Sequence, residues 1–156
     1  MSINVCAYDS IKHRALSLVG DAKLTLNTLM KYCTAIKTSN DWQQRVSILR
    51  KEWLIAVDEA SRDKGTLLPS DGEVVGAVNR SSRERDVVVC AAGGLPGDLQ
   101  KLWKTSFDRG YHVEYGYSCM GYEIAGGLGV KMALPDSQVY VMVGDGSYLM
   151  MNSEIF

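Results

Sequence analysis

Val139-Tyr-Val-Met-Val-Gly-Asp-Gly-Ser147 breaks an apolar, β-branched run at a Gly-Asp-Gly turn and opens a helix-like segment at Ser147. Short apolar runs of this kind fit strands covered on both faces, as in parallel sheets. Glycines at the carboxyl end of such a strand let the backbone turn sharply and approach an anionic group. A helix behind them offers unpaired N–H groups and a positive dipole end. Asp145, between Gly144 and Gly146, is the type of oxygen ligand that Mg2+ takes, and Mg2+ in turn bridges phosphate oxygens. Plain β-turns use the same residues, so the local pattern leaves a simple turn and a diphosphate-and-metal site both open.

Upstream, helix and strand signals alternate. Ser70 with Glu73 makes a capping box for a helix over 71–80. Asp86 to Ala92 is an apolar run ending at Gly93-Gly94 and reads as a buried, parallel strand. A short helix over 98–104 and a strand from Tyr111 to Tyr115 follow. A helix from Gly121 to Ala133 is ended by Pro135. This order predicts an α/β fold with a mainly parallel sheet flanked by helices. Eleven of the 15 glycines lie between 93 and 146, where ligands sit in open α/β sheets. Gly126, Gly127 and Gly129 each weaken a helix by about 1 kcal/mol relative to alanine. Close backbone packing or close approach of a cofactor would offset that cost. Gly93-Gly94-Leu95-Pro96-Gly97 is either a tight turn or a ligand loop, with Pro96 expected to interrupt a nucleotide-type turn. Neither G-x-x-x-x-G-K-[ST] nor a clean G-x-G-x-x-G is present.

The first half is less patterned. Residues 3–8 read as a buried strand and 11–20 as a loop or edge segment. Asp21 caps a helix carrying Leu24, Leu26, Leu29, Met30 and Cys33, and 35–41 is polar like a linker. Asn40 with Gln43 suggests a capping box. Trp42, Val46, Leu49, Trp53, Val57 and Ala60 then recur at helical spacing over 41–60, a surface helix whose tryptophans should anchor a core. Residues 61–69 form a loop.

The 156 residues are 46% apolar and 22% charged, with a net charge of −1 and both signs interspersed. No basic stripe points to nucleic acid, and no apolar run has membrane-spanning length. Cys6, Cys33, Cys90 and Cys119 are far apart with no C-x-x-C pair, which suggests free buried thiols in a reducing cytoplasm. His112 and Glu114 alternate on one strand face, where they could make a polar pair at a site mouth or, the preferred reading, stand as partly exposed structural residues, and His13 reads as a surface residue.

Gly116-Tyr-Ser-Cys-Met-Gly-Tyr-Glu-Ile-Ala-Gly-Gly-Leu-Gly-Val-Lys-Met-Ala133, followed by Pro135-Asp136 and the Gly-Asp-Gly-Ser147 turn, resembles the thiamine-diphosphate enzymes of the acetolactate synthase and decarboxylase branch. The spacing from Met120 to Asp145 matches that family as well. Glu123-Ile124-Ala125 departs from the commoner Gly-Leu-Pro wording of the synthases. That departure, with the wording of the stretches 70–79, 111–123 and 147–155, is most similar to a branch member that opens a cyclic 1,2-dione in inositol catabolism. An acetolactate-synthase-like lyase, or a non-catalytic partner chain, are the alternatives.

The resemblance implies a thiamine-diphosphate-binding fold truncated at both ends. It divides the chain into the end of a middle domain (1–35), a linker and connecting helix (36–70) and an incomplete diphosphate-binding domain (71–156). It implies thiamine diphosphate and Mg2+ as cofactors, with Asp145 a metal ligand. Gly94, Leu95, Gly144, Gly146 and Ser147 would lie at the diphosphate. Met120 would be the wedge under the thiazolium, and Ser118 with Met120 would hold the aminopyrimidine. The cofactor serves as an electron sink in such chemistry. A small-molecule substrate, a homodimer or homotetramer and a cytoplasmic setting are further implications. The activating glutamate and the second side-chain metal ligand of the family lie outside this sequence. The chain alone is therefore expected to show no turnover and weak or no cofactor affinity.

Overall fold

The computed structural model describes residues 1–155. The chain falls into two compact units, Met1–Ile48 and the segment from Leu49 onward. Among the described residues no helix is long and apolar enough to cross a membrane.

In the first unit, strands β1 (Ser2–Asn4) and β2 (Ser17–Val19) pair in parallel, with Ser2 opposite Ser17 and Asn4 opposite Val19. Helix α1 (Ala7–Lys12) makes the crossover. The expected buried strand over 3–8 is thus shorter and only half-buried, and the expected loop over 11–20 contains a second strand. Asn4 is the reason the strand stops. Its Oδ1 accepts the Cys6 N–H at 2.9 Å and its Nδ2 donates to Asp9 at 3.1 Å, an Asx turn that diverts the backbone. Helix α2 (Ala22–Tyr32) starts where expected, because Asp21 Oδ1 accepts the Leu24 N–H at 2.9 Å. Its apolar stripe buries no residue.

Helix α3 (Asn40–Ser61) is capped one residue earlier than the sequence suggested. Ser39 Oγ accepts the Trp42 N–H at 3.2 Å, and Gln43 reaches back to Thr38 rather than boxing Asn40. A serine hydroxyl standing three residues before a free N–H is an effective cap, and it leaves Asn40 inside the first turn. The tryptophans are not core anchors. Trp42 is 60% and Trp53 52% exposed, and α3 buries only Val57 and Ser61. An amphipathic stripe demands a surface to cover it, and this chain supplies one only near the helix end.

The second unit runs through α4 (Asp71–Ser81), β3 (Val87–Cys90), α5 (Gly94–Leu102), β4 (Tyr111–Val113), α6 (Tyr122–Ala133), β5 (Val139–Val141) and α7 (Asp145–Met151). This is the alternation read from the sequence. The sheet order is β4-β3-β5, parallel throughout, with Val88 opposite both Tyr111 and Tyr140. β3 is buried along its whole length. Its side chains alternate between two clusters, as strand geometry dictates. Val88 and Cys90 pack with Val75 of α4 and Leu99 of α5, while Val87 and Val89 pack with Val130 of α6. Helices therefore cover both faces of a parallel sheet, an α/β arrangement.

The Ser70–Glu73 capping box is present in full. The Glu73 carboxylate accepts the Ser70 N–H and hydroxyl and the Lys64 N–H, at 2.8–2.9 Å. Those hydrogen bonds, led by that from the Ser70 backbone, lower its pKa from 4.5 to about 2. Helix α5 begins at Gly94, not at residue 98. Pro96 does not interrupt it, because it stands in the first turn, where the missing N–H has no helical partner to lose. Of the α6 glycines, Gly127 is explained by packing: a Cβ there would overlap the Val141 side chain of β5. A Cβ on Gly126 would crowd the Tyr122 ring of its own helix at 2.7 Å, and one on Gly129 would meet nothing.

Candidate cofactor site

Because all three strands of the second unit are parallel, the segments after β3, β4 and β5 emerge at one edge of the sheet. Ligands of open α/β sheets bind at that edge. The candidate site residues named above all lie on these segments. Gly94 and Leu95 open α5 after β3, Ser118 and Met120 follow β4, and Gly144 to Ser147 follow β5.

After β3, Gly93 turns the chain at φ +120° and precedes the first turn of α5. A Cβ added to Gly94 would meet nothing within 4 Å, so the backbone there faces open space. The first amides of a helix lack intrahelical acceptors, which suits Gly94 and Leu95 to an anionic group.

After β5, Gly144 is the residue before α7 and also borders open space. Asp145 is exposed, and its Oδ1 accepts the Gly146 N–H at 2.7 Å. The Gly146 amide is thereby turned onto the neighbouring carboxylate. Ser147 is 2% exposed, and its side chain is committed inward. Its Oγ accepts the Gly121 N–H at 2.6 Å and donates to Glu123 Oε2 at 2.8 Å.

After β4, the chain is held by Glu114. Its oxygens accept the Tyr117 N–H at 3.1 Å and the Cys119 N–H at 2.7 Å. These bonds, the one from Cys119 foremost, keep its carboxyl below the usual carboxylate range. His112 is exposed and Glu114 half-buried, in line with the preferred reading of both as partly exposed structural residues; Glu114 holds the loop and makes no polar pair with His112. Ser118 sits at φ +56° and Gly121 at φ +94°, two left-handed residues bracketing Met120. The Met120 ε-methyl lies 3.8 Å from where a Gly146 Cβ would stand. The structure thus brings Met120 of one segment beside Gly146 of another.

Thiamine diphosphate and Mg2+ can be tested against this geometry. Mg2+ is usually bound through one or two carboxylates together with substrate phosphates and water. The single exposed Asp145 fits that role, beside the open backbone of Gly144. Among the described residues no group of three or more His, Cys, Asp or Glu side chains assembles that could hold a metal by itself. The residues fit a metal shared with a phosphorylated ligand.

The cysteines differ from expectation. All four are free, yet only Cys90 is buried, while Cys33 is half-buried and Cys6 and Cys119 are exposed. Burial pushes the Cys90 thiol up, as desolvation does for any thiol that must ionise. Sequence reasoning singled out Ser147 for its backbone and passed over its hydroxyl. It also gave Glu123 no role, although a carboxylate between Tyr122 and Ile124 on a glycine-rich helix was the available signal.

Comparison with known proteins agrees with this layout. Residues 91–156 match the family described as thiamine pyrophosphate enzyme, C-terminal TPP binding domain. Similar curated proteins carry the name 3D-(3,5/4)-trihydroxycyclohexane-1,2-dione hydrolase. Those of Bacillus velezensis and Shouchella clausii are 39% identical over 179 residues and 36% identical over 181 residues. That of Bacillus subtilis is 35% identical over 181 residues. Each comparison covers 99% of this chain and 28% of the relative, so the chain spans little more than a quarter of their length.

Proposed function

We propose that this chain is the cofactor-binding part of a thiamine-diphosphate- and Mg2+-dependent enzyme that hydrolyses a trihydroxycyclohexane-1,2-dione. The observation that carries the reading is the convergence of Gly94, Met120 and Asp145-Gly146 from three parallel strands onto one sheet edge. The names of the relatives support the substrate class. Asp145 would bind Mg2+, and the Gly94 and Leu95 amides, with the open backbone at Gly144, would receive the diphosphate. Gly146 and Ser147 would join them if the Gly146 N–H leaves the Asp145 carboxylate once that carboxylate is drawn to a cation. Met120 would support the thiazolium, with Ser118 and the Met120 backbone holding the aminopyrimidine. The bound cofactor supplies an electron sink for carbon–carbon cleavage next to a carbonyl. This chain's own contribution is to orient it and to present a charged ligand at its phosphate end. The full protein would act on a small molecule in the cytoplasm as a homodimer or homotetramer.

The test is a chimera in which this chain replaces the matching segment of the Bacillus subtilis relative. It should consume the dione in a reaction that requires thiamine diphosphate and Mg2+, and Asp145→Asn should lower that rate by roughly a hundredfold or more, in line with losing a metal ligand. Acetolactate formation from pyruvate with no dione consumption would refute the substrate class.

A further inference from the structure

We propose that Glu123 is a positioning residue whose buried carboxylate locks Gly121 to Ser147 and thereby holds Met120 beside Gly146. The inference rests on the cofactor reading above and names a residue that this reading does not use.

The need for such a lock follows from topology. Met120 is carried by the segment after β4 and Gly146 by the segment after β5, and these strands lie on opposite sides of β3. No ladder hydrogen bond joins β4 to β5, so strand pairing alone sets no register between their two loops. The Glu123 node supplies one. Its Oε2 accepts the Gly121 N–H at 2.9 Å and the Ser147 hydroxyl at 2.8 Å, and the same hydroxyl accepts the Gly121 N–H at 2.6 Å. Three groups, one from the loop before α6 and one each from α6 and α7, therefore close a single buried triangle. Gly121 is the residue next to Met120, and its φ of +94° sets the direction in which the chain leaves it. Fixing the Gly121 amide fixes where the Met120 side chain starts.

The arrangement is costly as pure architecture. Glu123 is fully buried, and its Oε1 has no hydrogen-bond partner among the described residues. A buried carboxylate with an unmatched oxygen is less favourable than an apolar side chain of similar size. What the carboxylate does that leucine could not is accept two donors at one oxygen. Glutamine could do the same through its carbonyl, which makes it the informative substitution.

The experiment uses the whole 156-residue chain with labelled methionine methyl groups. Two local signals are read by NMR: the exchange rate of the Gly121 amide and the contact between the Met120 methyl and Gly146. The Val88 and Val89 amides report on the unit as a whole. Glu123→Ala should speed Gly121 exchange roughly tenfold relative to Val88 and Val89, the scale of a lost hydrogen bond to a charged group, and abolish the Met120–Gly146 contact. Glu123→Gln should preserve both signals. Ser147→Ala should speed Gly121 exchange and weaken the contact, and it decides the matter if Glu123→Ala does not fold. The proposal is overturned if Gly121 moves only in step with Val88 and Val89. It is equally overturned if glutamine behaves like alanine, or if the contact survives in the Ser147→Ala chain with Gly121 exchange unchanged. The two claims have separate readouts. Because the isolated chain is expected to bind cofactor weakly or not at all, the cofactor reading is judged in the chimera above: dione turnover there that needs no thiamine diphosphate would count against it, while the lock stands on its own signals.

Discussion

Replacing Gly127 by alanine sets two effects of known sign against each other. Alanine in a helix interior is worth about 1 kcal/mol over glycine. At Gly127 the new methyl would overlap the Val141 side chain. Val141 is paired to Val89, so β5 cannot simply retreat without breaking its register with β3. Forcing one extra carbon into such a contact costs typically 1–3 kcal/mol, and an overlap this severe belongs at the upper end, about 3 kcal/mol. The balance is a loss of about 2 kcal/mol. Gly129 is the control: its methyl meets nothing, so the propensity gain of about 1 kcal/mol should appear undiminished. Urea unfolding followed at the Val88 amide would compare the two. With a slope of about 1–3 kcal/mol per molar, their midpoints should differ by about 1 M or more, with the unsubstituted chain between them. Gly127→Ala at or above the unsubstituted midpoint would refute the claim that α6 needs this glycine to approach β5.

Ser118→Val should destabilise the chain by more than 1 kcal/mol and Ser118→Gly should be neutral or slightly stabilising, because Ser118 sits at φ +56°, where a β-branched side chain is crowded most and glycine not at all; denaturant midpoints check the order. Glu73 has its pKa lowered from 4.5 to about 2 in the folded chain, so it adds stability above pH 4.5 that disappears as the pH falls towards 2. Glu73→Gln should flatten the stability profile across that window in an acid titration. A bulky maleimide should modify Cys6 and Cys119 in the native chain and reach Cys90 only on unfolding. Partial desolvation by its neighbours and the Glu114 charge hold the exposed Cys119 thiol above its usual value of 9.0, so its labelling rate should keep rising past that pH, and Glu114→Gln should lower the onset.

The second unit was legible in the sequence because its signals are local. The Ser70–Glu73 box, the apolar run at β3 and Pro135 after α6 each state their structure within a few residues. The start of α5 was misplaced because Pro96 reads as a breaker until its position within a first turn is known. The α3 stripe was legible as a pattern but not as burial, since Trp42 and Trp53 remain more than half exposed. At the candidate site, Asp145 and its glycines could be picked out by spacing. Glu123 stood out only as a carboxylate on a glycine-rich helix, and its role was hidden because it depends on Ser147 and Gly121 meeting in space. His112 and Glu114 were legible as partly exposed strand residues, but the hold of Glu114 on the loop was not, because it depends on the Tyr117 and Cys119 amides turning back to it.

The strand order β4-β3-β5 also governs the sequence of events in folding. β3 emerges first and must wait for both neighbours, each delivered by a helical crossover rather than a hairpin. Val88 reaches Tyr111 by closing a shorter stretch of chain than it must close to reach Tyr140, so the first pairing costs less loop entropy. Until the second meeting, one edge of the most apolar strand in the chain stands open, a template for any passing strand. The segments after β3 and β4 can take shape in that half-built state, but the Gly-Asp-Gly turn has no place to stand. Assembly of the ligand edge and sealing of the aggregation-prone edge are thus one and the same step, the docking of β5.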